Sequence, residues 1–408
     1  MAVRRRAEGH FATVEGTAAG RRTATGRGAI QTRMLLALAL ACTTIAHDFP
    51  DRMDFPIRSA DVQSPVPEDA SSLKVMAWNV KYGALRIDFW FDTYGDTVGM
   101  SEEVVLENLA QVREQIRLFQ PDVLMTSEIE VGSKRSAYVD MVEEILQDET
   151  LGFNHAGFVP NWDVGYVPDK GLGRVEMGNA VFSRFPITEN VRVDLGPIEE
   201  QDALTKYFYL DRCMQRVHVQ VPVDGETREV VVLNNHPDAY STDGTKLRQL
   251  QQIFDEAAAV EGDVIVGGDL NAIPPGSLRN TGFADDPEEA EGRGTSVVDY
   301  VGEEDVLTPW FDTWEEAVEE DHGDGRLTFA GYGAATDEAA QAEWFSHSIR
   351  KDVRWTRRLD YLFSNRSWSQ GWIVGDPDDG PEGPQGTQIR DPMELSDHAA
   401  VWGILELR

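Results

Sequence analysis

An α/β fold built in layers is the class this sequence predicts, and three observations predict it. Short β-branched runs alternate with amphipathic stretches through most of the chain, the pattern of strands and helices packed as layers. Polar residues stand at or beside the ends of those runs, where α/β sheets place their ligand sites. With 408 residues, 41% hydrophobic and 9% aromatic, the chain can build a sizeable core.

Residues 1–33 are rich in Arg, Ala, Gly and Thr without apolar periodicity, and read as a disordered extension, or as sequence ahead of a start at Met34. Residues 34–46 follow Arg33 with a short apolar run ending at Cys42 and then small residues. That is the outline of a signal peptide, too short to span a bilayer permanently, so export is expected and the mature chain has no transmembrane span. Cys42 is a candidate lipid attachment point, although Ala39 stands where a lipoprotein signal prefers Leu. Only Cys213 then remains, which leaves no intramolecular disulfide and no zinc-cysteine site.

Residues 47–72 read as a Pro-, Asp- and Ser-rich linker, and residues 73–408 as one domain. Its first strand, residues 73–78, ends at Asn79. Ser101, Glu102 and Glu103 open a helix, since serine caps an N-terminus and acids suit its positive end. Val105, Leu109, Val112, Ile116 and Phe119 give it one apolar face, and Pro121 ends it. A strand at 122–127 delivers Glu128, and further strands are expected at 179–185, 216–221 and 229–233, the last stopping before His236. An amphipathic helix over 245–259 precedes the strand Val264-Ile265-Val266.

Gly267-Gly268-Asp269-Leu270-Asn271 follows, with two glycines that allow a close backbone approach to a ligand and two side chains able to supply oxygen ligands or a base. From about 274 to 350 the pattern weakens into elaborated loops with scattered Trp310, Trp314 and Trp344. Strands at 359–363 and 399–407 complete the set, the latter entered through Asp397 and His398.

The net charge of −34 is unevenly spread, because the first fifty residues hold seven arginines against three acids and leave −38 on the rest. Such an acidic body repels polyanions, so stable duplex-DNA binding through a broad basic face is not expected. The dense basic run of the domain is Arg350–Arg358, which reads either as an electropositive lip beside the site or as a solvated strand face.

Taken together, Asn79, Glu128, His236, Asp269, Asn271, Asp360, Asp397 and His398 form a strand-end set whose joint occurrence argues against turn chemistry alone. The sequence here resembles the endonuclease/exonuclease/phosphatase superfamily. Trp78-Asn79-Val80, Ser127-Glu128, Asn234-x-His236, Gly268-Asp269-x-Asn271, Arg358-Leu359-Asp360-Tyr361 and Ser396-Asp397-His398 are similar to six motifs of that family, in its order.

The resemblance implies a four-layer α/β sandwich of two packed mixed β-sheets flanked by helices, and a metal-dependent phosphoesterase. Under it, Asn79 and Glu128, completed by Asp397, look like ligands of Mg²⁺, with Mn²⁺ or Ca²⁺ as alternatives. Asp269 would orient or deprotonate the attacking water, and Asn271 would steady phosphate or nucleophile. His236 and His398 would hydrogen-bond the phosphoryl oxygens, and Asp360 would hold the His398 tautomer. Arg212 and Asn179 resemble phosphate contacts, and Glu176 a support for His236.

Asn235 and Pro237 stand where the family usually has Thr and Leu. His236 stands where members acting at abasic sites have Tyr, which brings the chain nearer the branch of secreted DNases, sphingomyelinases and sugar or inositol phosphate phosphatases. The expectation is therefore an exported monomeric hydrolase of phosphodiesters or phosphomonoesters, its substrate a phosphorylated small molecule, a phospholipid or a nucleic acid. The alternatives are a secreted nuclease and a non-catalytic binding protein retaining the fold.

Overall fold

A computed structural model describes residues 49–90, 95–286, 300, 302–318, 332, 333, 335–377 and 390–408. The extension at 1–33, the signal-like run, Cys42 and parts of the 274–350 segment lie outside the described residues. In chain order the strands are β1 (Arg52–Asp54), β2 (Ile57–Ser59), β3 (Ser72–Asn79), β4 (Val123–Glu130), β5 (His155–Val167), β6 (Gly173–Ser183) and β7 (Ile187–Asp194). They continue with β8 (Cys213–Val223), β9 (Glu226–Asn235), β10 (Asp263–Asp269), β11 (Glu315–Glu316), β12 (Asp360–Ser364), β13 (Trp368–Val374) and β14 (Ala400–Glu406). The helices that matter here are α1 (Glu102–Phe119), α2 (Met141–Leu146), α3 (Thr245–Ala258) and α4 (Glu303–Thr313).

These strands form two seven-stranded sheets, one ordered β1-β7-β8-β9-β10-β12-β11 and the other β13-β14-β3-β4-β6-β5-β2. Each sheet holds one parallel pair joined by a helix: β3 runs parallel to β4 across α1, and β9 parallel to β10 across α3. Alternating residues explain the layering. Val75, Ala77, Val123 and Val181 of one sheet meet Val217, Val232, Ile265 and Leu362 of the other in a core between the sheets. On the outer faces, Met76, Trp78 and Leu124 pack under α1 and α2, while Val231, Leu233, Val264 and Val266 pack under α3 and α4. Helices, sheet, sheet and helices make the four expected layers.

The helix read from Ser101 is α1, whose Ser101 side chain accepts from Val104 N and whose end is a left-handed Gln120 just before Pro121. The linker expectation for 47–72 needs correction. β1 and β2 lie within it and add to an edge of each sheet, pairing with β7 and β5. Three-residue edge strands are held by backbone hydrogen bonds and carry no apolar alternation to read. β5, β7 and β13 were likewise not foreseen; β5 contains Gly157, Pro160 and Asn161 and shifts register twice against β6. Trp310 and Trp314, read as loop residues, are core, packing with Phe254 and Phe363, and Trp344 is buried against Tyr332. Among the described residues, no helix is long and apolar enough to cross a membrane.

Candidate active site

The two parallel pairs bring their strand ends to one place. β3 stops at Asn79, aligned with Ser127 of β4, and the next residue, Glu128, breaks the ladder to β6. Glu128 has φ 55°, a bulge conformation that turns its half-buried carboxylate into the cleft. In the other sheet Gly268 aligns with Asn235, so β9 and β10 end together and hand over His236 and Asp269.

The two glycines serve a different purpose from the one expected. A Cβ on Gly267 would sit 2.1 Å from the Tyr361 carbonyl oxygen, and one on Gly268, at φ +110°, would sit 2.5 Å from that of Asn235. They let neighbouring strands close on β10, and the ligand side is left to Asp269 and Asn271.

Asp269 is the hub. Its buried Oδ2 accepts from Asn79 Nδ2 at 3.0 Å, across the gap between the sheets, and lies 3.4 Å from His236 Nε2 and 3.5 Å from His398 Nε2. Its Oδ1 accepts the backbone N–H of Asn271, which has φ 50° and whose side chain donates to Pro237 O. The closing motif is tied to the opening one. Trp78 Nε1 donates to His398 O, and Ser396 Oγ donates to Asn79 O at 2.8 Å.

The two expected histidines differ in charge. His398 Nδ1 bonds Asp360 Oδ2 at 2.9 Å, and Ser346 Oγ donates to the same carboxylate oxygen at 2.7 Å. Burial works against a charge on His398, but Asp360 and then Asp269 outweigh it and hold the imidazolium, with a pKa of about 10. His236 is driven well below the usual value by burial, then by Arg212 and His398, so it is neutral, and its Nδ1 has no hydrogen-bond partner among the described residues.

A solvent-open cleft of about 650 Å³ lies over this hub and is lined by Glu128, Arg212, His236, Asp269, Asn271, Asp397 and His398 among others. Arg212 is 5% exposed, and its Nε and Nη1 have no partner among the described residues. Two other expected residues, Asn179 at phosphate and Glu176 behind His236, have different partners. Asn179 donates to Cys213 O and Asn234 O, while Asn234 donates to Thr126 O at 2.9 Å and Ala180 O at 3.1 Å, so both asparagines staple one sheet to the other. Glu176 is held by Arg174, while the carboxylates facing His236 are Glu128, 3.6 Å away, and Asp269.

The profile of the endonuclease/exonuclease/phosphatase family matches residues 76–398. The chain belongs to that family. Its members are hydrolases of phosphate esters, and the fold seen here is theirs. Among solved structures, an endonuclease/exonuclease/phosphatase from Beutenbergia cavernae is 21% identical, covering 83% of this chain and 72% of its own, with a TM-score of 0.49. A family protein from Leptotrichia buccalis is 13% identical, covering 82% and 100%, with a TM-score of 0.46. The catalytic domain of human Nocturnin with bound sulfate is 14% identical, covering 87% and 96%, with a TM-score of 0.44. No curated protein matches the chain in sequence.

The donor set of this family member suits a hard cation, since Glu128, Asp269, Asp397 and Asn79 present oxygens and no thiolate. Among the described residues, Asp269, Asp360 and His398 bring ligand atoms within 4.8 Å of one another, which is compatible with a metal site. The hydrogen bond from His398 to Asp360 occupies two of those three groups, so the trio is better suited to orienting an imidazole. Asp397 is already engaged: its Oδ2 pairs with buried Lys81 Nζ at 3.0 Å, and burial, which raises its pKa, is outweighed first by Lys81.

Lys81 and His347 were not anticipated. Lys81 and Tyr82 follow Asn79 at φ 43° and 42°, a left-handed turn that carries the lysine under the site. His347 lines the cleft with its ring 4.5 Å from that of His398, and burial, then His398, keeps it neutral. The available signals were a charged residue two past the Asn motif and a histidine thirteen before Asp360, and neither has a periodicity that marks it.

Proposed function

We propose that this chain is an exported, monomeric, Mg²⁺-dependent phosphoesterase that cleaves a phosphodiester or phosphomonoester by in-line attack of water. The observation that carries the reading is Asp269, a buried carboxylate held by Asn79 from the opposite sheet and facing two imidazoles beneath a cleft lined by Arg212, whose guanidinium meets no carboxylate among the described residues. Asp269 Oδ2 orients the water and takes its proton. Asn271, fixed by its bond to Pro237, steadies the nucleophile. His398, charged and aligned by Asp360, donates from Nε2 to a phosphoryl oxygen as charge moves onto it, and His236 lies beside it. Arg212 neutralises the phosphate. Glu128 and Asn79 would hold Mg²⁺, with Asp397 beside them, and the ion, when bound, screens charge on the attacking and leaving oxygens. Export rests on the apolar run at 34–46.

The paired basic run and the acidic body speak against a duplex nuclease, and the intact hub speaks against a non-catalytic relative. The test is a panel of simple phosphodiesters, phosphomonoesters, phospholipids and DNA, assayed with Mg²⁺ or Mn²⁺ and again with chelator. Activity lost on chelation and lowered at least about a thousandfold in Asp269→Asn is expected, in the range where general base and transition-state charge stabilisation act together. Turnover unchanged by Asp269→Asn would sink the mechanism, and strong plasmid cleavage would replace it with the nuclease reading.

A further inference from the structure

We infer that the cleft takes one phosphate at a time, carried on an uncharged, flat organic group, and that the apolar and aromatic part of the cleft lining is the subsite for that group. The inference rests on the phosphoesterase reading and names its substrate class. Beside its polar residues the cleft is lined by apolar and aromatic side chains, among them Trp162, Met177, Tyr209, Leu210, Tyr240 and Ile349. Trp162, Met177 and Leu210 are buried, so this wall is built into the core and not assembled from loose surface side chains. Tyr240 is 48% exposed at the mouth, and its backbone is pinned, because Asp238 Oδ2 accepts both the Tyr240 N–H at 2.9 Å and the Ser241 N–H at 2.5 Å. The pinned backbone fixes where this side chain leaves the chain, and a tyrosine ring stacks on a flat group at the cost of only two side-chain torsions.

The charges define what else can enter. Two arginines line the cleft. Arg135 is committed to Glu130 at 2.7 Å, both side chains being buried, and its guanidinium lies over Tyr82. Arg212 meets no carboxylate among the described residues, so it is the arginine left to face a phosphate. Lys81 pairs with Asp397 and Lys246 with Glu303, so neither offers a second anion site. A polyphosphate or a polynucleotide would set its further charges against the apolar wall or against an acidic surface. A flat neutral group would bury itself there instead.

The experiment is calorimetry of the Mg²⁺-loaded protein with phenylphosphonate, methylphosphonate and a single-stranded oligonucleotide, none of which needs to turn over. Phenylphosphonate is expected to bind about tenfold tighter than methylphosphonate, as burial of an aromatic ring implies. Tyr240→Ala should shrink that ratio about fivefold and Tyr240→Phe should keep it. Equal affinity for the two phosphonates, a ratio indifferent to Tyr240→Ala, or tighter binding of the oligonucleotide would overturn the inference. A protein that hydrolyses no ester yet shows the ratio would refute the catalytic reading alone.

Discussion

Residues 350–358 hold five cations in nine positions, and each meets a carboxylate: Arg350 with Asp352 at 2.6 Å, Lys351 with Asp88 at 3.7 Å, Arg354 with Asp376, Arg357 with Asp285 and Asp286, and Arg358 with Glu316 at 2.5 Å. Arg212 stands in a stretch with no such density and, among the described residues, meets no carboxylate, although buried Arg358 shares its two unsatisfied donors, Nε and Nη1. The difference teaches that an anion site is marked by a buried charge without a counter-ion. Such a charge is costly and gains most from an incoming phosphate, whereas a dense but neutralised run has no net charge left to offer. Of the two readings open for the run, the electropositive lip therefore fails.

The largest effect expected from this contrast is on stability. Arg358 and Glu316 are both fully buried, so Arg358→Ala strands a carboxylate in the core and should cost about 3–5 kcal/mol, measured as a lower urea midpoint. Replacing both partners with Met and Leu should recover most of that loss. Arg212→Ala should do the reverse. It is expected to lower kcat/KM about 10²–10³-fold, as loss of a donor to developing charge does, while the urea midpoint holds or rises because unmet donors leave the interior. An Arg212→Ala protein that unfolds easily and turns over normally would break the comparison.

Smaller still is the triple change of Arg350, Lys351 and Arg354 to Gln. These pairs are exposed, and each is worth less than about 1 kcal/mol, so kcat/KM in low salt should stay within about twofold. At the bottom of the scale is Cys213, the chain neighbour of Arg212. Burial pushes its thiol up to about 12, so the thiolate is absent at pH 8, and Ellman's reagent should give no signal until the protein is unfolded.

Much of this molecule could be read before it was seen, for reasons tied to particular residues. Val230–Leu233 and Val264–Val266 are β-branched runs buried on both faces, and such runs have few alternatives to a strand. The apolar face of α1 and its serine cap are equally plain. Seven of the expected site residues, Glu128, Arg212, His236, Asp269, Asn271, Asp397 and His398, line one cleft, and Asn79 and Asp360 touch it through Asp269 and His398.

What escaped was whatever depends on a partner far along the chain. The edge strands β1 and β2 exist only through their pairing, and β5 hides in a mixed composition with bulges. Asn179 looked like a ligand because its role as a staple needs Cys213 and Asn234 from the other sheet. Arg212 was legible only through the family resemblance, since nothing local distinguishes it from Arg358 and pairing decides between the two.

The bonds from Trp78 to His398 and from Ser396 to Asn79 bridge more than three hundred residues, and β14 completes its ladder on β3. A growing polypeptide therefore carries Asn79, Glu128, His236 and Asp269 before the segment that joins Asn79 to His398 has been made. These residues form one centre only when residues 396–406 close onto β3, and a product truncated ahead of them is expected to be inert.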